Sequence, residues 1–137
     1  MFICKFTHVY TGHEHAHLFL QGCGKYRRQA AEPSTSDIGI PTVVLFELQV
    51  GIAKSVSPRK RIVQLDSLTS VVNILPFGTK EVRSAAAIRA DLEKKGTPIG
   101  PYDVLIAGTA LSNKGTIVTH NIKEFERVEG LPLEDWY

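Results

Sequence analysis

Aspartate is missing from the first quarter of this chain of 137 residues, and cysteine is scarce throughout. The first aspartate is Asp37. The two cysteines, Cys4 and Cys23, form no CxxC pair, which excludes a disulfide framework or a four-thiolate zinc site within one chain. No apolar run approaches the roughly 20 residues of a bilayer span, and no basic region followed by a sustained apolar stretch opens the chain. We therefore expect a cytoplasmic protein with no membrane association.

The net charge of +2 lies wholly in the segment that lacks aspartate. Residues 1–36 contain four Lys or Arg, two Glu and four of the five His, whereas residues 37–137 contain twelve basic and twelve acidic residues. So mild a charge does not by itself indicate nucleic-acid binding. The length and the composition, 43% hydrophobic and 22% charged, predict a single globular domain over 1–137, with 1–36 atypical in sequence.

From residue 37 onward, short apolar runs alternate with helical patterns, which predicts an α/β fold with a small, largely parallel sheet. The predicted helices cover about 42–54, 58–69, 79–95 and 101–113, and a helical turn lies near 122–126. The predicted strands are 71–75, 116–119 and an edge strand within 131–136. Pro41 is expected in the first turn of the first of these helices, and Thr79 is expected to cap the third.

Polar residues interrupt three apolar stretches of the second part. Glu47 is the one carboxylate in TVVLFELQV, and such a residue must be exposed, paired or near a cation. Asp103 opens an otherwise uncharged helix, where an acid also complements the helix dipole. Thr119 and Asn121 follow the predicted strand TIVT, with Glu124 three residues later. Asn121 or Thr119 serving only as a helix cap is an equal alternative.

These points converge on one chemistry if they meet at one edge of the sheet. Ligands bind at the carboxyl ends of strands in parallel α/β sheets. Carboxylates gathered there would repel one another unless they share a hard divalent cation such as Mg²⁺ or Mn²⁺. Such a cation activates water for phosphodiester hydrolysis. The residues alone therefore make a metal-assisted hydrolase a candidate.

Three segments carry a specific resemblance: TVVLFELQVGIAKS, GTPIGPYDVLIAGTA and TIVTHNIKEFERVEGLPLEDW. Their order and spacing over about 37–137 resemble the PIN-domain ribonuclease toxins of the VapC family. The resemblance implies a PIN-like α/β/α fold with a small parallel sheet flanked by helices. It also implies a Mg²⁺- or Mn²⁺-dependent endoribonuclease that acts as the toxin of a toxin–antitoxin system and cuts an RNA such as tRNA. A VapB-like antitoxin and a second copy of the chain are the implied partners.

The same resemblance assigns the site residues. Glu47 in FELQVG matches the family's helical glutamate, and Asp103 in GPYD matches its central aspartate. Glu47, Asp103 and Glu124 are the implied metal ligands, Asn121 supports them, and Thr119 positions the acidic cluster or an attacking water. Water, not a side chain, is the implied nucleophile.

The sequence departs from the family in one respect. Relatives place a first Asp at the end of strand one, in a stretch resembling Leu-Asp-Thr-Asn, and the only acid in the first 20 residues here is Glu14. Either the protein is a catalytically impaired relative that serves as an antitoxin-binding module, or residues 1–36 reflect a shifted reading frame or an altered start. The return of family-like sequence at Ser36-Asp37-Ile38-Gly39 favours the second explanation.

Other residues have weaker functional interpretations. His13, His15 and His17 would share one face of a strand and suit Zn²⁺, Ni²⁺ or Cu²⁺, but an exposed polar face or a segment never selected for folding explains them more simply. Basic residues at Arg59-Lys60-Arg61 are usually solvated, although they can contact RNA phosphates. Trp136 and Tyr137 offer aromatic surface or a terminal anchor.

Overall fold

The described part of the chain alternates strands and helices, as the sequence predicts. The computed structural model describes residues 4–5 and 37–135. In chain order these residues form β1 (Cys4–Lys5), β2 (Ile38–Pro41), α1 (Thr42–Ala53), α2 (Pro58–Thr69), β3 (Asn73–Leu75), α3 (Thr79–Lys94), α4 (Pro101–Ser112), β4 (Thr116–Val118), α5 (Ile122–Phe125) and β5 (Leu133–Glu134). The fold is therefore α/β, with short strands and helices that contribute most of the residues.

The strands pair mainly in parallel. β2 pairs with β3 and β4 pairs with β5, both in parallel, and these pairings confirm the predicted parallel arrangement. β1 runs antiparallel to β4, with Cys4 opposite Ile117, which is a departure from that arrangement. The strands predicted at 116–119 and within 131–136 are present but shorter, since β4 ends at Val118 and β5 covers only Leu133 and Glu134. The third strand starts at Asn73 because Val71 and Val72 lie in the turn that follows α2.

Pro41 does not lie inside the first helix, as the sequence suggested. It is the last residue of β2 and the N-cap of α1, with an extended backbone at φ −58° and ψ 141°. All four residues of β2 are buried, and this strand was not predicted because four residues with one glycine carry too little periodicity. The missing amide hydrogen of proline suits the point where strand pairing stops and the helix begins.

The predicted helices are confirmed within one residue at their boundaries. In α2, Leu65 and Leu68 are buried as expected, but Ile62 is 42% exposed because it lies in the first turns, away from the core. In α3, Ala85, Ile88 and Leu92 form the predicted buried face. The cap of α3 is Gly78 and not Thr79, which is the first residue of the helix.

α4 is the central helix of the fold. It buries Val104 and every residue from Ile106 to Ala110, so its sides face neighbouring elements almost all round. Its partners in the core include Ile40 of β2, Ile117 of β4 and the fully buried Phe125 of α5. Because α4 is central, the elements that carry or precede the predicted polar residues pack against it.

No helix within 4–5 and 37–135 is both long enough and apolar enough to cross a membrane. The segment with His13, His15 and His17 and the terminal Trp136 and Tyr137 lie outside the described residues.

Candidate active site

Two of the predicted acids lie next to a contact between α1 and α4. The rings of Phe46 and Tyr102 meet edge to face, with centroids 5.9 Å apart and planes at 63°. Glu47 directly follows Phe46 in α1, and Asp103 directly follows Tyr102 in α4. Both acids are partly buried. The ring contact therefore brings together the two helix segments that carry these carboxylates.

Gly100 lets the carboxylate of Asp103 fold back over the start of α4. Asp103 is the acid in the first turn of the helix, and Gly100 is the N-cap. A Cβ atom added to Gly100 would lie 2.9 Å from Oδ2 of Asp103. The position also suits an acid that stabilises the positive end of the helix dipole, so both interpretations of Asp103 fit the geometry.

β4 returns toward the start of α4. The twelve residues of α4 rise by roughly 18 Å at about 1.5 Å each, and the tight turn after Ser112 reverses the chain. β4 (Thr116–Val118) then packs against α4, and the chain turns after Thr119. Thr119 and Asn121 therefore lie beyond the end of β4 that is away from the turn after Ser112.

Thr119 holds the turn that carries Asn121. Its side chain is fully buried, and its Oγ1 accepts a 2.8 Å hydrogen bond from the backbone N–H of Asn121. Its own backbone N–H donates to the carbonyl of Glu134 in β5 at 2.8 Å. This burial allows Thr119 to position its neighbours but keeps its hydroxyl away from bulk solvent. Asn121 is exposed and precedes α5, yet its side chain makes no capping hydrogen bond. By position Asn121 is the N-cap residue of α5, as the alternative expected, but its side chain contributes no capping hydrogen bond.

Glu124 is tied to the loop before α4 through an arginine. Oε1 of Glu124 lies 3.9 Å from Nη1 of Arg127. The same Nη1 donates a 2.9 Å hydrogen bond to the carbonyl of Pro98. Because Pro98 lies two residues before Gly100, this bridge links α5 to the segment that begins α4. The five predicted site residues thus lie in α4 itself, in α1 or α5, or directly after β4, and α1, α5 and β4 all contact α4.

The donor set has the right chemistry for a hard cation, since carboxylate and amide oxygens are the ligands that Mg²⁺ and Mn²⁺ prefer. The number of donors that lie close together is too small, however. Among residues 4–5 and 37–135, no three His, Cys, Asp or Glu side chains lie close enough together to hold a metal ion. The assignment of Glu47, Asp103 and Glu124 as joint ligands stays a prediction, and a further ligand from the first 36 residues would have to come from the part that lacks Asp.

One buried carboxylate was not singled out in the sequence. Glu81 of α3 is 5% exposed and accepts hydrogen bonds from the backbone N–H of Gly78 at 3.0 Å, from Ser112 Oγ at 3.4 Å and from Asn113 Nδ2 at 3.3 Å. Burial alone would raise the pKa of Glu81. Hydrogen bonds from its own backbone, Gly78 and Asn113, with the nearby Lys80 charge, together lower the pKa below its ordinary value.

These partners make Glu81 a structural residue that joins the start of α3 to the end of α4. The available sequence signal was a glutamate three residues after a helix cap, the pattern of a capping box. Because the cap was expected at Thr79 and not at Gly78, the capping box that includes Glu81 was not recognised.

The chain is similar to a known domain family and to several of its members. The PIN domain family matches residues 22–131. A tRNA(fMet)-specific endonuclease VapC from Salmonella typhimurium is 38% identical over 109 residues, which cover 80% of this chain and 83% of that protein. Ribonuclease VapC2 from Rickettsia felis is 41% identical over 99 residues, which cover 72% and 74%. The chain belongs to the VapC family of PIN-domain proteins.

Solved VapC-containing complexes have the same fold. VapBC2 from Rickettsia felis, bound to a DNA fragment from its promoter, matches with a TM-score of 0.69 and 40% identity over 72% of this chain and 74% of that chain. DNA-bound VapBC from Salmonella typhimurium matches with a TM-score of 0.70 and 39% identity over 72% and 75%. The predicted PIN-like fold and the predicted VapC family membership are confirmed.

Proposed function

We propose that this VapC-family protein is a metal-dependent endoribonuclease, the toxin of a toxin–antitoxin pair, and that its site lies around the start of α4. The observation that carries the proposal is the meeting of α1 and α4 beside Glu47 and Asp103. The Arg127 bridge to the loop before α4 supports including Glu124, and the position of Asn121 after β4, which packs against α4, supports including Asn121. The name of the Salmonella typhimurium relative supports tRNA as the first substrate to test.

In this proposal each residue has a separate task. Glu47, Asp103 and Glu124 would hold Mg²⁺ or Mn²⁺, directly or through its water shell, and Asn121 would support them. When bound, the cation supplies an activated water and neutralises charge that develops on the phosphate. Thr119 acts indirectly, because its buried hydroxyl fixes the backbone of Asn121. Water is the nucleophile, and no covalent enzyme intermediate forms.

The experiment is RNA cleavage by the purified full-length chain with and without Mg²⁺, beside Asp103→Asn. We expect cleavage that needs the cation and falls by about a hundredfold or more in the variant, as when a group aimed at transition-state charge is removed. Asp91→Asn is the matched control, since Asp91 pairs with Lys95 at 2.7 Å on α3 and belongs to another surface. Equal cleavage by Asp103→Asn and the unaltered chain would contradict the proposed site.

Metal binding needs a readout of its own. Mn²⁺ binding, followed by the loss of the electron paramagnetic resonance signal of the free ion, should weaken in Asp103→Asn and Glu47→Gln and remain unchanged in Asp91→Asn. Binding that none of these substitutions alters would contradict the ligand assignment even if the chain cleaves RNA.

A second candidate function is an antitoxin-binding module without catalysis. It rests on the absence of Asp before Asp37 and on the lack of a three-ligand metal cluster within 4–5 and 37–135, whereas the nuclease names of the relatives do not favour it. The solved VapBC complexes support an antitoxin of the VapB type as the partner of either function. A chain that binds the antitoxin but cleaves no RNA in Mg²⁺ or Mn²⁺ would favour the module.

A homodimer is part of the same proposal, because two copies would form a shared groove for RNA. Light scattering on the purified chain should give twice the monomer mass of 15.1 kDa. A mass of one chain over the concentration range of the cleavage assay would contradict the dimer.

A further inference from the structure

Phe46 of α1 and Tyr102 of α4 form an exposed pair of aromatic side chains, called here the aromatic corner, that packing within the fold buries only in part. Phe46 is 52% exposed and Tyr102 is 46% exposed, although each ring contacts the other. Their planes meet at 63°, so part of at least one ring face stays open to solvent. Large exposed apolar side chains that lie together commonly mark a binding surface.

The corner lies beside the proposed acids on both of its helices. Glu47 follows Phe46, and Asp103 follows Tyr102, with neighbouring Cα atoms about 3.8 Å apart. Successive helical residues point in directions about 100° apart, so each ring flanks its acid and does not cover it. A molecule held on the rings would therefore have an adjoining part within reach of the acids.

We propose that Phe46 and Tyr102 are substrate-positioning residues that stack one unpaired base of the RNA next to the phosphodiester bond to be cut. This inference rests on the proposed endoribonuclease function. An unpaired base has two apolar faces and a polar edge, so it can stack on one ring while its edge stays in water near the carboxylates. A purely aliphatic occupant would leave those carboxylates beside a dry surface.

Stacking also explains why a ring is needed on each helix. The face of one ring receives the base, and the edge-to-face contact with the second ring fixes the first ring's orientation. Every base has an apolar face, so this device selects unpaired RNA over duplex and does not by itself read sequence. The substrate class that the corner favours is a loop or another single-stranded region, not an uninterrupted helix.

The test uses the full-length chain and a short single-stranded oligoribonucleotide that carries one 2-aminopurine, in EDTA so that nothing is cleaved. Stacking on an aromatic ring quenches 2-aminopurine fluorescence, so we expect quenching on binding to the unaltered chain. Phe46→Leu and Tyr102→Leu keep apolar volume but remove the ring. We expect each to weaken binding about tenfold, which is within the range for loss of one base–aromatic stack.

Two sets of controls separate stacking from folding and from general hydrophobic contact. Phe46→Tyr and Tyr102→Phe keep the rings and should restore both affinity and quenching. Val63→Ala removes an apolar side chain that is 64% exposed on α2 and should change neither. Circular dichroism of each variant checks that the helices remain formed.

Folded leucine variants with unchanged affinity and quenching would overturn the inference, as would an unaltered chain that does not bind the oligoribonucleotide. Leucine variants that keep RNA binding but lose the antitoxin would also overturn it, in favour of a protein seat. The proposed function is tested separately. Quenched binding without cleavage in Mg²⁺ would support the stacking corner and contradict the endoribonuclease function. Cleavage with an unchanged KM in the leucine variants would support the endoribonuclease function and contradict the stacking corner.

Discussion

Gly108 of α4 packs directly against Ala85 of α3. A Cβ atom added to Gly108 would lie 2.6 Å from the Cβ of Ala85 and 2.7 Å from its Cα and backbone nitrogen. Real Cβ atoms do not come that near to backbone atoms, so the helices would have to separate. The glycine therefore sets the spacing between α3 and α4.

Gly108→Ala should destabilise the protein, although alanine is the better helix former. Propensity alone predicts a gain of about 1 kcal/mol, but a methyl group forced against the backbone of α3 costs about 1–3 kcal/mol. Further costs follow if the shift disturbs the buried neighbours of α4. We expect a net loss of unfolding free energy, measured by urea denaturation.

Gly51→Ala is the matched control for that prediction. Gly51 lies on the exposed side of α1, and nothing lies within 4 Å of an added Cβ. The same substitution there should stabilise the protein by about 0.5–1 kcal/mol. If both variants gained stability, the close approach of α3 and α4 would be disproved.

Glu81 should make the stability of the protein depend on pH. Its folded-state pKa is lowered, so the stabilisation is fully present above the pKa of the unfolded chain and is lost as the pH falls through the folded value. The loss should therefore begin below about pH 4.5, the ordinary pKa of glutamate, and continue to lower pH. Glu81→Gln should be less stable at neutral pH and show a smaller decline on acidification, measured as unfolding free energy against pH.

Glu93→Gln provides the comparison for Glu81. Glu93 lies on the exposed side of the same helix and pairs with Arg89 at 2.8 Å. Exposed ion pairs of this kind contribute little to stability because solvent screens them, so this variant should keep almost all of the acid-dependent decline. A decline abolished by Glu93→Gln and retained in Glu81→Gln would contradict the assignment.

Thr119→Val should separate the positioning of Asn121 from the stability of the core. Valine fills the same space but offers no acceptor to the backbone N–H of Asn121, which donates a 2.8 Å hydrogen bond to Oγ1 of Thr119 in the unaltered chain. One lost hydrogen bond costs about 0.5–1.5 kcal/mol. We expect RNA cleavage to fall about tenfold while the variant remains folded, and Thr119→Ser to retain most of the activity.

Thr109→Val is the control for this effect. Thr109 is also fully buried, but its hydroxyl donates to the carbonyl of Leu105 within α4 at 2.8 Å. Its replacement should leave the cleavage rate near that of the unaltered chain. Equal losses in the two valine variants would mean that any buried threonine matters and that the Asn121 turn has no special role.

Helix positions were predictable from sequence because local signals agree there. Proline starts, glycine stops and apolar spacing placed α2 and α4 within one residue, since each signal acts over one or two turns. The exposure of Ile62 was not predictable, because the apolar period says which residues share a face but not which part of that face meets the core.

The features of the candidate site also differ in whether local sequence signals could predict them. The acids Glu47 and Asp103 could be proposed from the sequence because an isolated charge in an apolar run needs an explanation in any fold. The contact between Phe46 and Tyr102 could not be found, because residues 46 and 102 meet only after two helices pack. The buried role of Thr119 likewise depends on β5, whose carbonyl at Glu134 fixes the strand end. Long-range packing, unlike local pattern, leaves no period in the sequence.

The final prediction concerns the DNA that encodes the first 36 residues. The family's first aspartate has no counterpart before Asp37, and the described residues gather no three metal ligands. If a shifted reading frame replaced that segment, another frame upstream of the Asp37 codon should encode an apolar strand ending in a Leu-Asp-Thr-Asn-like stretch. A chain made with that segment should bind Mn²⁺ about tenfold more tightly or better, because each added carboxylate raises cation affinity. Asp103→Asn in the restored chain is the control, and it should remove much of the gain if both acids share the ion. Finding no such stretch in either frame would reject the frame hypothesis and favour a natural, impaired relative.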